Sequence, residues 1–215
     1  MTPVICFVSD RQRLPGGTEA ALIGRIAAAA RAGVHLIQIR ERDLDARALA
    51  RIVTAAVAAV RGTSSRILVN DRIDVALSAG AHGVHLRGDS VPAPRARQIV
   101  PRGFLLGRSV HSREEAVRVA DAGGLDYLMF GTVFGTSSKP GVAGAGSDAL
   151  AAVAGATPLP VLAIGGITVS RMSEVAAAGA AGFAGIGLFA ASPVEGLQVV
   201  VTQGSLAFDT LPRVP

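Results

Sequence analysis

The 215-residue sequence has one cysteine, one lysine, one asparagine, one tyrosine and no tryptophan. The lone Cys6, set in an apolar N-terminal run, excludes a disulfide framework and a thiolate metal cage. Aromatic residues make up only 4% of the chain and the arginines are scattered, so no stacking platform for nucleic acid is expected. The 26 glycines and 11 prolines follow no three-residue period and no heptad persists, which excludes collagen-like and coiled-coil fibres. With half its residues hydrophobic, the chain has ample apolar material for a core, which excludes disorder. No basic-then-apolar segment opens the sequence, so no secretory signal is expected and a cytoplasmic location is.

Two uncharged stretches, Ala149–Ser170 and Val175–Val194, reach membrane-spanning length. The first is interrupted by Pro158, Pro160 and Gly165-Gly166, and the second is mostly alanine and glycine. Each reads as a helix joined to a buried strand, and no membrane partner is expected. The charge balance, 21 basic against 16 acidic residues, suits attraction of an anionic partner. A small phosphorylated substrate needs only a few of these charges. Twenty of the 21 basic residues are arginine, so the surviving Lys139 stands out, because its compact ammonium does what a planar guanidinium cannot.

Short runs rich in Val, Ile, Leu and Phe alternate with Ala-rich helical segments. Strands are expected at Val4–Ser9, Val34–Arg40, Arg66–Asn70, Gly83–Leu86, Phe104–Ser109, Asp126–Gly131, Pro160–Ile164 and Phe183–Phe189. Helices are expected near Thr18–Ala32, Ala46–Arg61, Ile73–Ala79, Ala93–Val100, Arg113–Ala122, Ser147–Ala154 and Ser170–Ala178, with a last one after Pro193. Ser112, three residues before Glu115, reads as a capping box, and Gly33, Gly80, Gly123 and Gly179 sit where C-terminal glycines belong. Eight strand–helix units in this length predict a single (β/α)8 TIM barrel, residues 1–215 forming one domain; a doubly wound open sheet is the alternative.

Barrel active sites lie at the C-terminal ends of the strands. The polar residues there are Asp10; Gln38, Arg40 and Arg42; Asn70 and Asp71; Arg87 and Asp89; Ser109 and His111; and Thr132, Thr136, Ser138 and Lys139. Gln38 and Arg40, two apart, share one side of a strand, and an arginine at a barrel mouth needs an anion, either a ligand or a carboxylate. The glycines of Gly165-Gly166 and Gly185-Ile186-Gly187 let backbone N–H groups approach a phosphate. Asp71 and Asp89 are candidate ligands for one Mg²⁺, which takes few protein ligands beside substrate phosphates. His35, His82, His85 and His111 lack zinc spacing; His35 and His85 read as core histidines, and His111 as a candidate acid or base.

The segments Gln38-Ile39-Arg40-Glu41-Arg42, Val69-Asn70-Asp71, Gly83–Leu86, Gly107-Arg108-Ser109, Asp126-Tyr127, Gly131–Lys139 and Ala163–Ile167 run in order across nearly the whole chain. In them the sequence resembles thiamin phosphate synthase and its relative, the TenI-type thiazole tautomerase. The resemblance implies an enzyme that joins hydroxymethylpyrimidine diphosphate to thiazole phosphate and releases pyrophosphate. It implies that Gln38, Arg40 and Asn70 hold the pyrimidine diphosphate, with Arg42 in phosphate contact, that Asp71 binds Mg²⁺, with Asp89 one place before the position of the second metal carboxylate, and that Ser109 lies near the reacting carbon. Lys139 would contact the pyrophosphate, Thr136 and Ser138 the thiazole, and Gly166 and Gly187 the thiazole phosphate. Catalytic roles would fall to Lys139, Ser109 and Arg40.

The pattern departs from the synthase at Arg42, where lysine is usual, at Ser90, which aligns with the second metal carboxylate, and at Gly187, where serine is common. It departs from the tautomerase at Thr132, which aligns with a histidine base. Two further readings therefore stand beside the synthase: the tautomerase, and a non-catalytic binder of thiamin intermediates. The resemblance also implies a homodimer, for which the apolar stretch Leu197–Val201 offers one surface; packing of that stretch on the barrel is the alternative.

Overall fold

The computed structural model describes residues 2–136, 141 and 143–209. Eight parallel strands, β1 (Val4–Val8), β2 (Leu36–Ile39), β3 (Arg66–Asn70), β4 (Gly83–Leu86), β5 (Leu105–Val110), β6 (Tyr127–Gly131), β7 (Val161–Ile164) and β8 (Gly182–Gly185), close into a barrel in sequence order. The seam is made where β1 meets β8, with Val4 opposite Gly182 and Phe7 opposite Gly185.

The two-residue period of the strands divides their side chains between two cores. Cys6, Val8, Leu36, Leu68, Tyr127, Met129, Leu162 and Ala184 fill the barrel. Their neighbours Ile5, Phe7, Ile37, Ile39, Ile67, Val69, Val84, Leu128 and Phe183 point outward into a larger layer beneath the helices. Burial on both sides is why these strands read as unbroken apolar runs.

The helices are α1 (Glu19–Arg31), α2 (Ala46–Ala59), α3 (Ile73–Ser78), α4 (Ala93–Ile99), α5 (Arg113–Asp121), α6 (Gly146–Ala154), α7 (Met172–Ala177), α8 (Gly187–Ala190) and α9 (Gly196–Asp209). Side-chain oxygens start three of them: Thr18 accepts from the Ala21 N–H, Asp45 from the Ala48 N–H and Ser112 from the Glu115 N–H. The expected capping box is completed one residue early, because Glu115 accepts from the N–H of His111, not from that of Ser112.

The last strand ends sooner than the apolar run suggests. After Gly185 the chain turns into α8, which buries Phe189 against Phe7 at a ring-centroid distance of 5.5 Å. Leu197, Val200 and Val201 of α9 are buried within the chain, while Val199 between them is exposed. Among the described residues, no helix is long and apolar enough to cross a membrane.

Two histidines tie the N-terminal ends of the strands together. His35 Nδ1 accepts from the Ile5 N–H at 3.2 Å and His82 Nδ1 from the Ile67 N–H at 3.0 Å. Burial lowers the pKa of both, and wholly buried His85 is lowered to about 3. Below pH 6.5 the unfolded rings take up protons that the folded ones refuse, so stability falls as pH drops below 6.5 and, for His85, keeps falling toward 3. The loss is at most about 1.4 kcal/mol per pH unit per ring. Urea midpoints are expected to fall between pH 7 and pH 4.5; a flat profile would refute this.

Candidate active site

At the C-terminal mouth of the barrel lies a cavity of about 980 Å³. Its floor is apolar, from Val8, Met129, Ile164 and Ala184, and its rim carries Arg13, Arg40, Arg42, Arg87 and Arg171. A greasy floor beneath a cationic rim suits a flat heterocycle bearing phosphates. A smaller cavity of about 430 Å³ adjoins it, and Arg40, Arg42, Asn70 and Arg87 line both.

Strand β2 supplies the deepest polar contact. Gln38 is 2% exposed, and its amide nitrogen donates to Asn70 Oδ1 at 2.9 Å. Its Oε1 is buried with no partner among the described residues. A buried acceptor left bare costs stability unless a ligand donates to it. Beside it, Asn70 spends its oxygen on Gln38, which leaves its N–H groups for an acceptor. One bare acceptor next to one donor matches the edge of an aminopyrimidine, whose amino group donates and whose ring nitrogen accepts.

Two residues on, the half-buried Arg40 has its backbone fixed and its guanidinium unspent. Its N–H donates to Ser9 Oγ at 2.9 Å, and Ser9 donates to Glu41 at 2.6 Å. Glu41, 5% exposed, also takes the backbone N–H and the guanidinium of Arg11, each at 3.1 Å, so its charge is satisfied at the β1–β2 junction. No described residue hydrogen-bonds the Arg40 guanidinium. Burial and then repulsion from Arg42 lower its pKa. A cation held this way favours an arriving polyanion.

Strand β3 ends in Asn70 and Asp71. Asp71 has a left-handed backbone (φ 64°), and its N–H donates to the His85 carbonyl at 2.9 Å. One carboxylate oxygen accepts from the hydroxyl of Ser90; the other lies 3.8 Å from Arg87. Asp89 does not join it: its carboxylate pairs with Arg87 at 2.5 Å, and its side chain is 70% exposed. Repulsion between two carboxylates, and the pull of Arg87, explain why Ser90 meets Asp71 in place of Asp89. The loop is pinned by Arg108, 7% exposed, which donates to the carbonyls of Val91 and Gly88. The hard oxygens of Asp71 and Ser90, at the edge of a phosphate-sized cavity, suit Mg²⁺ completed by substrate phosphates. Among the described residues no group of three or more metal-ligating side chains exists.

Across the cavity, Ser109, Thr136, Gly166 and Gly187 all contribute to the lining. Gly165 and Gly166 have φ of 102° and 62°, and a Cβ on Gly166 would lie 2.5 Å from the Gly135 carbonyl. Gly187 has open space around its missing Cβ. His111 lines the wall and turns its Nδ1 to the Gly131 carbonyl. Ser138 and Lys139 lie outside the described residues. Arg13 and Arg171 were not marked by the sequence pattern; Arg171, stacked 4.3 Å over Phe134, could have been suspected only from its place five residues after Gly166.

The family model described as thiamine monophosphate synthase matches residues 5–189. A thiamine-phosphate synthase of Methanoculleus marisnigri is 44% identical over 179 residues, 83% of either chain. One from a Roseiflexus species is 38% identical over 191 residues, 88% of this chain and 79% of that one. Among solved structures, thiamine phosphate pyrophosphorylase from Pyrococcus furiosus superposes with a TM-score of 0.81 at 28% identity, covering 95% of both chains. On the extent of these matches, the chain belongs to the thiamine monophosphate synthase family.

Proposed function

We propose that this chain is a thiamin-phosphate synthase, coupling hydroxymethylpyrimidine diphosphate to thiazole phosphate with release of pyrophosphate. The observation that carries the reading is at the end of β2: the bare acceptor of Gln38 and, two residues on, the Arg40 guanidinium, neither with a partner among the described residues, one suited to an aminopyrimidine and the other to its diphosphate.

Gln38 and Asn70 orient the pyrimidine so that its methylene faces the cavity. The bond from that methylene to the diphosphate oxygen breaks, and the electron pair leaves with the pyrophosphate. Arg40, Arg42 and Lys139 stabilise the charge that grows there. The thiazole nitrogen then donates its lone pair to the cation-like methylene and closes the new C–N bond. Ser109 meets the pyrimidine diphosphate near that carbon. Thr136 and Ser138 place the thiazole, and backbone N–H groups at Gly166 and Gly187 receive its phosphate. Asp71, with Ser90 beside it, would hold Mg²⁺, which supplies further neutralisation of the leaving group.

The test is a coupling assay with both substrates and Mg²⁺ present or chelated, product being read as fluorescent thiochrome. Mg²⁺-dependent thiamin phosphate is the expected result. Folded protein that binds substrates without turnover would replace the proposal with a binding role, and turnover of thiazole phosphate carboxylate alone would replace it with the tautomerase. Lys139→Ala is expected to abolish coupling, and wild-type rates in it would remove Lys139 from the mechanism. Because Gly187 has room for a side chain, Gly187→Ser is expected to lower KM for thiazole phosphate about threefold by adding one hydroxyl contact, with kcat unchanged. A raised KM would mean the phosphate lies elsewhere. Light scattering tests the homodimer implied by the resemblance.

A further inference from the structure

Tyr127, the only tyrosine, and His85 have no part in the mechanism above, yet they join Ser109 in one continuous line of hydrogen bonds. His85 Nδ1 on β4 lies 3.0 Å from the Tyr127 hydroxyl on β6, and its Nε2 lies 2.8 Å from Ser109 Oγ on β5. The line must cross β5, and it does so over Gly107. A Cβ at that position would lie 2.0 Å from Tyr127 Cζ, so the tyrosine reaches the histidine only because residue 107 has no side chain. Tyr127 is 5% exposed and His85 2% exposed, while Ser109 lines the cavity.

The proton positions follow from satisfaction of the two ends. The Tyr127 hydroxyl has His85 as its sole hydrogen-bond partner among the described residues. A buried phenol hydrogen without an acceptor is costly, so that hydrogen points at Nδ1. Burial, with the charge of Arg108 behind it, holds the ring neutral, so one ring proton remains to be placed. It sits on Nε2 and is donated to Ser109 Oγ. With its oxygen engaged as an acceptor, Ser109 turns its own hydrogen into the cavity. The opposite tautomer would draw that hydrogen back to Nε2 and present the substrate with a bare oxygen.

We propose that Tyr127 and His85 are positioning residues, a donor chain running Tyr127 to His85 to Ser109 that makes Ser109 a hydrogen-bond donor toward the bound pyrimidine diphosphate. The substrate half of this inference rests on the coupling reaction proposed above; the proton arrangement is a property of the free protein. The sign of the Ser109 contact thus depends on a hydroxyl two residues removed from the substrate.

The experiment has two readouts. In ¹⁵N-histidine spectra of the substrate-free wild-type protein, His85 is expected with Nε2 protonated and Nδ1 bare, and Tyr127→Phe is expected to let the Nδ1–H form appear. In steady-state coupling, Tyr127→Phe is expected to lower kcat about tenfold, and this loss should vanish when Ser109 is already alanine. A tyrosine that merely fills space would act additively with Ser109→Ala and leave the tautomer unchanged, and either result overturns the proposal. An Nδ1–H wild-type ring overturns it without any variant. If the wild-type protein shows no coupling, the spectrum still decides the donor chain, and the failure falls on the coupling reaction.

Discussion

Arg40→Met is expected to lower kcat/KM for the pyrimidine diphosphate by roughly 100- to 1,000-fold while leaving the melting temperature unchanged or higher. The two halves have one cause. In the free protein the Arg40 guanidinium is half-buried, has no hydrogen-bonding partner among the described residues and is repelled by Arg42; Asp10 and Glu41 attract it, but burial and Arg42 outweigh them, so the fold carries a desolvated charge that is only partly compensated. A methionine of similar length removes that penalty and keeps the packing. The same unspent charge meets a diphosphate when substrate arrives, and meets it more strongly as the leaving group gains charge. The loss should therefore appear in kcat as well as KM. Kinetics against pyrimidine diphosphate, with scanning calorimetry on the same preparations, read both halves. An unchanged kcat/KM would hand the diphosphate to other cations of the rim, and a lower melting temperature would make Arg40 a structural residue.

Asp71→Gly is expected to abolish coupling at every Mg²⁺ concentration, with stability held within about 1 kcal/mol of the parent. Asp71 holds a φ of 64°, a region that glycine enters freely and other residues enter at some cost. Relief of that cost offsets the lost hydrogen bond from Ser90. A residue kept in such a conformation at the rim of a cavity is placed for what its carboxylate meets. Asp89→Ala, by contrast, removes an exposed group paired, among the described residues, to Arg87 alone, and should change kcat/KM by less than about threefold. Metal titrations of coupling in the three proteins decide the matter. Equal losses in both variants would mean that Asp89 leaves Arg87 and joins Asp71 when substrate is bound.

The barrel is readable because each strand is buried on two sides and each helix on one, so short unbroken apolar runs alternate with longer segments of 3.6-residue period and mark the eight units, though not every boundary. The expected β8 is too long because Ile186-Gly187-Leu188-Phe189 is as apolar as a strand, yet in the fold it turns into α8 and packs Phe189 on Phe7. At the site, Gln38, Arg40, Asn70 and Asp71 were legible because polar residues at the ends of apolar strands have few other uses. Glu41 and Arg108 were not. Both are buried charges whose partners, Ser9 and Arg11 for one and the carbonyls of loop 87–91 for the other, are distant in sequence. The exchange of Ser90 for Asp89 depends on the direction of Arg87, which a string of letters does not carry.

The seam between β1 and β8 joins the two ends of the barrel's chain path. Val4 opens the first strand, and its partner Gly182 opens the last. A side chain at Gly182 would lie 2.0 Å from the Val4 carbonyl, so the two strands zip only over glycine. Gly204 of α9 lies on Phe183 beside Ile5, bolting the join from outside. Val8 and Ala184, on the two banks of the seam, are both part of the cavity floor. The pocket floor is therefore complete only when the first strand pairs with the last, the contact of greatest sequence separation in the barrel and so the one with the largest loop-closure cost.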